Sequence, residues 1–504
     1  MYAFHNITAW RGHRTLLALG IGLVLSACAV GPDYKRPAAP TAHDYAPTAT
    51  PQTTASASGP GGSAQQFVRE MDIPGQWWTL FHSEPLNALI DDALKHNADA
   101  EAAQAALQAT WENVRAQRGA FFPSVGVSVD PTRSKIGTVL SSGVASNSTL
   151  YNLTTAQVSV SYSPDLWGAN RRQVESLVAQ ASAQRFQLEA TYLTITSNLV
   201  NAAIQEASLR AQIDATRSII DAQERTMATL QRQQNLGDAP ETAVAAQEAA
   251  LEQSRATLPP LEKQLAQQRD MLAALTGRMP SDTIDDRFTL DTLQLPTELP
   301  FTLPARLVEQ RPDVRMADAQ FHAASAQVGV AIANRLPNVQ ITANIGSAAD
   351  NASSLFGTGT GFWNIGANIT APIFDGGALK HKQRAAEATY RQSAAQYRST
   401  VIDAVQNVAD VLHAVQSDAV ALASAERADQ AAARSLAIAQ KQLELGDISE
   451  VAMLSTQQTW QQAQIALAQA RANRYADTVA LFQALGGGWW NRQDVSTSQA
   501  SSMH

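Results

Sequence analysis

Two periodicities divide this chain. Apolar and polar residues alternate with period two in four short runs, about 123–131, 155–164, 337–346 and 362–372. In the first run Val125, Val127 and Val129 alternate with Gly126, Ser128 and Asp130; in the last, Trp363, Ile365, Ala367 and Ile369 alternate with Asn364, Gly366, Asn368 and Thr370. This pattern predicts strands with one apolar and one polar face. Most of the remainder follows the helical period. Residues 169–236 and 378–445 are 68 residues each and hold no proline or glycine before Gly237 and Gly446. Each therefore predicts a single helix of about 100 Å, at about 1.5 Å per residue. Helices in globular proteins average ~10–14 residues, so these segments predict a tube or rod rather than an ordinary bundle. The second carries a seam at Val401, Val405, Val408, Leu412, Val415, Ala419 and Leu422, whose four-and-three spacing is coiled-coil register. The first has a looser seam at Ile195, Leu199, Ala202, Leu209, Ile213 and Ile220.

The body of the chain is an internal duplication. Residues 97–125 align with 311–339 at an offset of 214, matching Asp99 to Asp313, Val114 to Val328 and Pro123 to Pro337. Leu236-Gly237-Asp238 matches Leu445-Gly446-Asp447 at an offset of 209, and Ala274-Leu275 matches Ala484-Leu485 at 210. Each repeat has one layout: an opening helix (about 84–119 and 305–334), a strand pair, a long helix ended by leucine and a capping glycine, and a return helix (about 241–275 and 449–485). The expected divisions are 77–297 for the first repeat, 298–490 for the second and 491–504 for a polar tail. Trp77, Trp78, Trp489 and Trp490 flank the helical part and read as packing at the equator of a duct.

Upstream, Arg11 and Arg14 precede an apolar stretch from Leu16 to Leu25 and the run Leu25-Ser26-Ala27-Cys28, which holds the only cysteine. A basic flank, a short apolar region and small residues before a cut site predict a signal peptide over 1–27. Leu-Ser-Ala-Cys resembles a bacterial lipobox, which implies cleavage between Ala27 and Cys28 and a lipid such as palmitate on the Cys28 thiol. Residues 38–66 are rich in Ala, Pro, Thr, Ser and Gly, so 28–76 is expected to be a lipidated N-terminus and flexible tether.

Hydrophobic residues make up 45% and charged residues 16% of the chain, and the abundance of Ala and Gln favours helix. The net charge is −8, and loss of Arg11 and Arg14 with the signal takes it to −10. Together with the lack of any basic run, this argues against a nucleic-acid partner. There is no zinc-protease motif, phosphate loop or nucleophile elbow, and the nine histidines are scattered. Neither an enzyme nor a cofactor or metal is expected.

After the signal no apolar run reaches 18 residues, so a membrane could be crossed only as a barrel. Four strands per chain leave open edges and must close with copies of themselves. Two copies would make a tight barrel of about eight strands, and three a wider one of about twelve. Small uncharged polar residues on the inward face favour the wider barrel.

The mature start Cys28-Ala-Val-Gly-Pro-Asp-Tyr-Lys-Arg-Pro37, Trp77-Trp78-Thr-Leu-Phe81, Asp165-Leu-Trp-Gly168, Arg311-Pro-Asp-Val-Arg315, Pro372-Ile-Phe-Asp-Gly-Gly377 and Ala484-Leu-Gly-Gly-Gly-Trp489 together resemble the outer membrane factors. These are the TolC-like exit ducts, and the likeness is closest to their NodT-type lipoprotein branch. It implies a mainly α chain with a transmembrane β-barrel portion: a homotrimer with a 12-stranded β-barrel, continued by a long periplasmic α-helical coiled-coil barrel. It implies a lipid-anchored place in the outer membrane of a Gram-negative bacterium. The implied role is a passive exit duct for small toxic compounds, driven by an inner-membrane transporter of the resistance-nodulation-division (RND) type through a periplasmic adaptor. The adaptor-contact tips carried over are Leu236, Gly237, Asp238 and Leu445, Gly446, Asp447. Many members hold acidic residues six and nine positions after the second tip glycine, at the pore constriction. Here those positions are Ala452 and Ser455, with Glu450 near but out of register. The resemblance therefore does not carry an acidic ring to this chain. A duct of a type I protein secretion system shares the fold, and a non-channel periplasmic scaffold lipoprotein is the remaining alternative.

Overall fold

The computed structural model describes residues 29–42, 44–46, 51–135, 150–282 and 287–492. The strands are β1 (Gln66–Arg69), β2 (Ser124–Lys135), β3 (Leu150–Tyr162), β4 (Glu298–Phe301), β5 (Asn338–Ala349) and β6 (Gly361–Thr370). The helices are α1 (Glu84–His96), α2 (Ala98–Arg118), α3 (Ala169–Leu236), α4 (Glu241–Leu275), α5 (Pro304–Gln310), α6 (Pro312–Ala333), α7 (Ala378–Leu445) and α8 (Glu450–Ala484). The described residues fall into two compact units. Of the described residues, one unit takes 29–36 and those within Leu107–Ala183 and Ala317–Gln396, the other those within Pro37–Ala106 and Gln184–Met316 and residues 397–492.

In the first unit, β2, β3, β5 and β6 form an antiparallel sheet in that order. Its register sorts the side chains by face. Val127 pairs with Val158, Val158 with Ile345, and Ile345 with Trp363. One residue along, Ser159 pairs with Gly126 and with Asn344, which in turn pairs with Asn364. A slip of one residue in any strand would mix the faces, so the pattern specifies the register. The apolar face is bare: Val127 is 77% exposed, Trp363 74% and Ile369 69%.

An aspartate opens each long helix at the end of a strand pair. Asp165 accepts from the backbone N–H groups of Asn170 (3.0 Å) and Arg171 (2.9 Å). Asp375 accepts from Gly377 and Leu379, each at 2.8 Å. The Leu379 and Gly377 N–H groups hold the Asp375 carboxyl below the ordinary carboxylate range. Each aspartate thus satisfies two of the amides that a helix start leaves orphaned.

Residues 29–36, expected in a flexible tether, are bolted to this unit. The Val30 N–H donates to the Trp167 carbonyl (3.1 Å). Arg172 donates to the Val30 carbonyl (3.2 Å) and to Asp33 (2.7 Å), while Arg36 pairs with Asp318 at 3.0 Å. The Tyr34 hydroxyl donates to Asp318, and its ring stacks on His322. Gly31 is required by this contact: a Cβ there would stand 2.4 Å from the Gly329 Cα.

The second unit buries the coiled-coil seams. Val408, Leu412 and Val415 of α7 share a core with Ile195, Leu199 and Ala202 of α3. Trp77 and Trp78 lie in the same core, where the Trp77 ring stacks on Phe482 with centroids 5.4 Å apart. The structure corrects four expectations. The opening helix of the first repeat breaks at Asn97, whose Oδ1 accepts from the Asp99 and Ala100 amides and starts α2 afresh. That of the second repeat breaks at Arg311, because Pro312 cannot continue a helix. The remainder of the predicted tether also docks. β1 pairs in parallel with β4, and the buried Arg474 guanidinium donates to Thr54 Oγ1 (3.0 Å) and the Ser63 carbonyl (2.8 Å). The ordered body therefore begins well before Trp77. In the sheet, β2 runs on to Lys135 and β3 begins at Leu150, so both strands extend past the expected runs of about 123–131 and 155–164.

Hydrogen bonds from a charged donor contribute roughly 1.5–3 kcal/mol each. Two further Arg474 donors, Nε and Nη1, are buried without partners, which offsets part of that gain. Arg474→Met is therefore expected to loosen the 51–65 segment, which Glu426 and Pro296 still hold through Ser58 and Gln65, while leaving the helical core folded. Limited proteolysis should show faster cleavage in 51–65 than in the parent, with little change in Tm; equal cleavage would count against the clasp.

Candidate functional site

The two repeats build their tips identically. After α3, the Gly237 N–H donates to the Gln234 carbonyl (2.9 Å) and the Asp238 N–H to Gln233 (2.8 Å). After α7, Gly446 donates to Leu443 (3.0 Å) and Asp447 to Gln442 (2.8 Å). Gly237 has φ 85° and Gly446 φ 78°, and no atom stands near where a Cβ would be. Both glycines thus serve the left-handed backbone of a Schellman cap rather than close packing. The consequence is that Leu236 and Leu445, each 77% exposed, project from the last helical turn beside an exposed aspartate, Asp238 or Asp447. An apolar side chain and a carboxylate at a rigid turn offer a helical partner both burial and a hydrogen-bond acceptor.

Behind the second tip, Leu436, Ala439 and Met453 form a small core with Leu443, Ile448 and Trp460 packed against it. Behind the first, the buried Gln247 amide donates to the Gln223 carbonyl at 2.9 Å. Ser449 caps α8, accepting from the Ala452 N–H. Glu450 opens that helix, and Ala452 and Ser455 follow it as exposed positions in the first two turns. Ala27 and Cys28 lie outside the described residues. Among the described residues no group of His, Cys, Asp and Glu could hold a metal ion.

Sequence reasoning missed a set of ionisable groups between α7 and α8. Burial, and then the adjoining Asp418 carboxyl that hydrogen-bonds to it, pushes Asp477 up to about 7. Burial also raises Asp429, against the opposing pull of Arg471. No motif signals these pairs; only the side-by-side packing of two distant helices creates them.

A four-stranded sheet with a bare apolar face, its strand pairs leading into 68-residue helices that reverse at capped tips, defines the class of membrane β-sheets joined to helical ducts. The profile described as "Outer membrane efflux protein" matches residues 89–278 and 303–487, and the chain belongs to that family. It is accordingly an outer-membrane efflux channel protein whose helices extend into the periplasm. It is similar to the probable efflux pump outer membrane protein TtgC of Pseudomonas putida, at 28% identity over 97% of this chain and 98% of that protein. Among solved structures it resembles the outer-membrane channel OprN, with TM-score 0.81 and 26% identity over 92% of this chain and 100% of that one. It also resembles the CmeC channel of Campylobacter jejuni, with TM-score 0.83 and 21% identity over 94% and 98% of the two chains.

The raised Asp477 pKa sets a pH dependence. The folded protein keeps a proton on this carboxyl that the unfolded chain, with its ordinary value near 4, has already released. Between about pH 4 and pH 7 the native state binds more protons, so this group's contribution to stability falls as pH rises through that window. Asp477→Asn is expected to flatten the dependence and to raise Tm at pH 8 relative to the parent. A parent and variant with parallel Tm profiles from pH 4 to 8 would contradict the assignment.

Proposed function

We propose that this chain is the outer-membrane duct of a tripartite efflux assembly, in which three copies close one barrel and the helical tips receive a periplasmic adaptor. The carrying observation is the sheet itself. β2 and β6 are its edges, while its apolar face is continuous from Val127 to Trp363. Such a face belongs in lipid, where each unpaired backbone group costs several kcal/mol. Each edge strand turns about ten backbone groups outward, so an open sheet in lipid would cost on the order of tens of kcal/mol. That far exceeds the ~5–15 kcal/mol of net stability a domain usually has. Closure with two further copies pairs every edge in a barrel of about twelve strands, lined by Ser, Thr, Asn and Gln.

Lipid on Cys28 supplies a second anchor beside the barrel. Because residues 30–36 are bolted near Trp167 and Arg172, that anchor is held at the strand-to-helix junction rather than on a loose leash. The tips Leu236, Gly237, Asp238 and Leu445, Gly446, Asp447 receive the adaptor, and an RND-type transporter in the inner membrane supplies the energy. Ala452 and Ser455 place no carboxylate at the constriction positions, so the pore carries no acidic ring there. Relatives named for toluene efflux and pyoverdine export support small molecules as cargo.

The double variant Leu236→Asp with Leu445→Asp separates docking from conduction. It is expected to insert and conduct in planar bilayers like the parent, because both side chains are exposed and cap no core. In a strain lacking other ducts it should confer no more resistance than an empty vector, and it should fail to retain the adaptor on affinity purification. Full resistance with normal adaptor retention would remove the tips from the proposal.

A further inference from the structure

All four strands of the sheet meet the helices at one edge. β2 begins there at Ser124 opposite Ser161, β3 ends there at Tyr162 opposite Ile341, and β5 begins at Asn338 opposite Thr370 near the end of β6. The junctions touch: the Trp167 indole donates to the Pro337 carbonyl (2.7 Å), and Arg335 donates to Gln383. Each junction also carries an exposed cation. Arg118 precedes β2, Arg171 follows β3, Arg335 precedes β5, and Lys380, Lys382 and Arg384 follow β6.

Two facts make this collar more than a composition effect. The chain as a whole is acidic, at −8. And the first turn of α7 holds no acidic residue, though the helix dipole favours anions there and disfavours cations. Of the nearby carboxylates, Asp375 is already engaged by backbone amides, and Glu387 accepts from the Gln383 amide. Arg171 has Asp165 at 3.4 Å, but Arg118, Lys380, Lys382 and Arg384 make no ion pair among the described residues. The opposite edge is mixed, with Asp130 and Asp350 beside Arg133 and Lys135. The bare apolar face ends at this collar, and Val30, two residues after Cys28, is hydrogen-bonded to Trp167 at the same place.

We propose that this cationic collar binds the phosphate groups of anionic phospholipids in the periplasmic leaflet of the outer membrane. It thereby fixes the depth at which the sheet sits, in concert with the lipid on Cys28. This rests on the reading of the chain as a membrane-inserted duct. Lipid phosphates supply the negative charge that Lys380, Lys382 and Arg384 lack within the protein, Lys380 sitting in the first helical turn where the dipole also disfavours it, and cationic side chains at a bilayer surface attract anionic headgroups.

The test uses the full-length protein in nanodiscs of equimolar phosphatidylglycerol and phosphatidylcholine, with retained lipid counted by native mass spectrometry. The parent is expected to retain phosphatidylglycerol in preference. The triple variant Lys380→Gln, Lys382→Gln, Arg384→Gln, which keeps good helix formers, should lose that preference by roughly tenfold. The opposite-edge pair Arg133→Gln with Lys135→Gln should keep it. Conductance of each preparation in planar bilayers is recorded alongside. Protein that inserts and conducts yet retains both lipids equally, or loses the preference equally in both variants, overturns the collar and leaves the duct standing. Protein that never inserts overturns the duct reading and the collar with it.

Discussion

Everything else in this molecule follows from backbone hydrogen bonding at the edges of one small sheet. Its side-chain pattern demands lipid on one face and water on the other, and its two edge strands leave amides and carbonyls that lipid cannot satisfy. No single chain can meet both demands with four strands. Sharing a barrel among copies meets them, and it also sets the circumference of whatever the helices enclose. The helices add no membrane span of their own, since none among the described residues is long and apolar enough to cross a bilayer.

The second constraint is mechanical continuity between sheet and helix. At the two junctions where a long helix begins, an aspartate takes up the first free amides: Asp165 before α3 and Asp375 before α7. The N-terminal segment reinforces one of them through Arg172, Asp33 and Val30. Farther along, the seams of α3 and α7 bury in a common core with Trp77 and Phe482. The tips then need only a glycine and two backbone bonds each to turn the chain back.

Much of this was legible in the sequence, for identifiable reasons. Local signals sufficed for the long helices, whose bounds of 169–236 and 378–445 coincide with those in the structure, because uninterrupted helical composition ends in a leucine and a capping glycine. Alternation located the four barrel strands but not their full length: β2 runs on to Lys135, β3 begins at Leu150 and β5 continues to Ala349, where the apolar–polar alternation is weaker. Long-range interactions were invisible. The segment 51–65 has the composition of a linker, and residues far away in sequence turn it into a docked element: Arg474 donates to Thr54 and Ser63, Glu426 accepts from the Ser58 N–H, and the Gln65 amide donates to the Pro296 carbonyl. The four-residue strands β1 and β4 are too short to show a period. The Asp418–Asp477 pair arises from the packing of two helices rather than from any motif. At the turns, the leucine–glycine signal located where the long helices end, and the structure added why the leucines protrude: both glycines lie in the left-handed region, leaving Leu236 and Leu445 each 77% exposed.

Barrel closure by copies of the same chain is open to direct measurement. The protein extracted from outer membranes and released from detergent in a native mass spectrometer should appear as three copies, and the same preparation should conduct in planar bilayers. A stable single copy or pair that conducts equally well would contradict closure by three chains and would leave the open edges of β2 and β6 without a physical explanation.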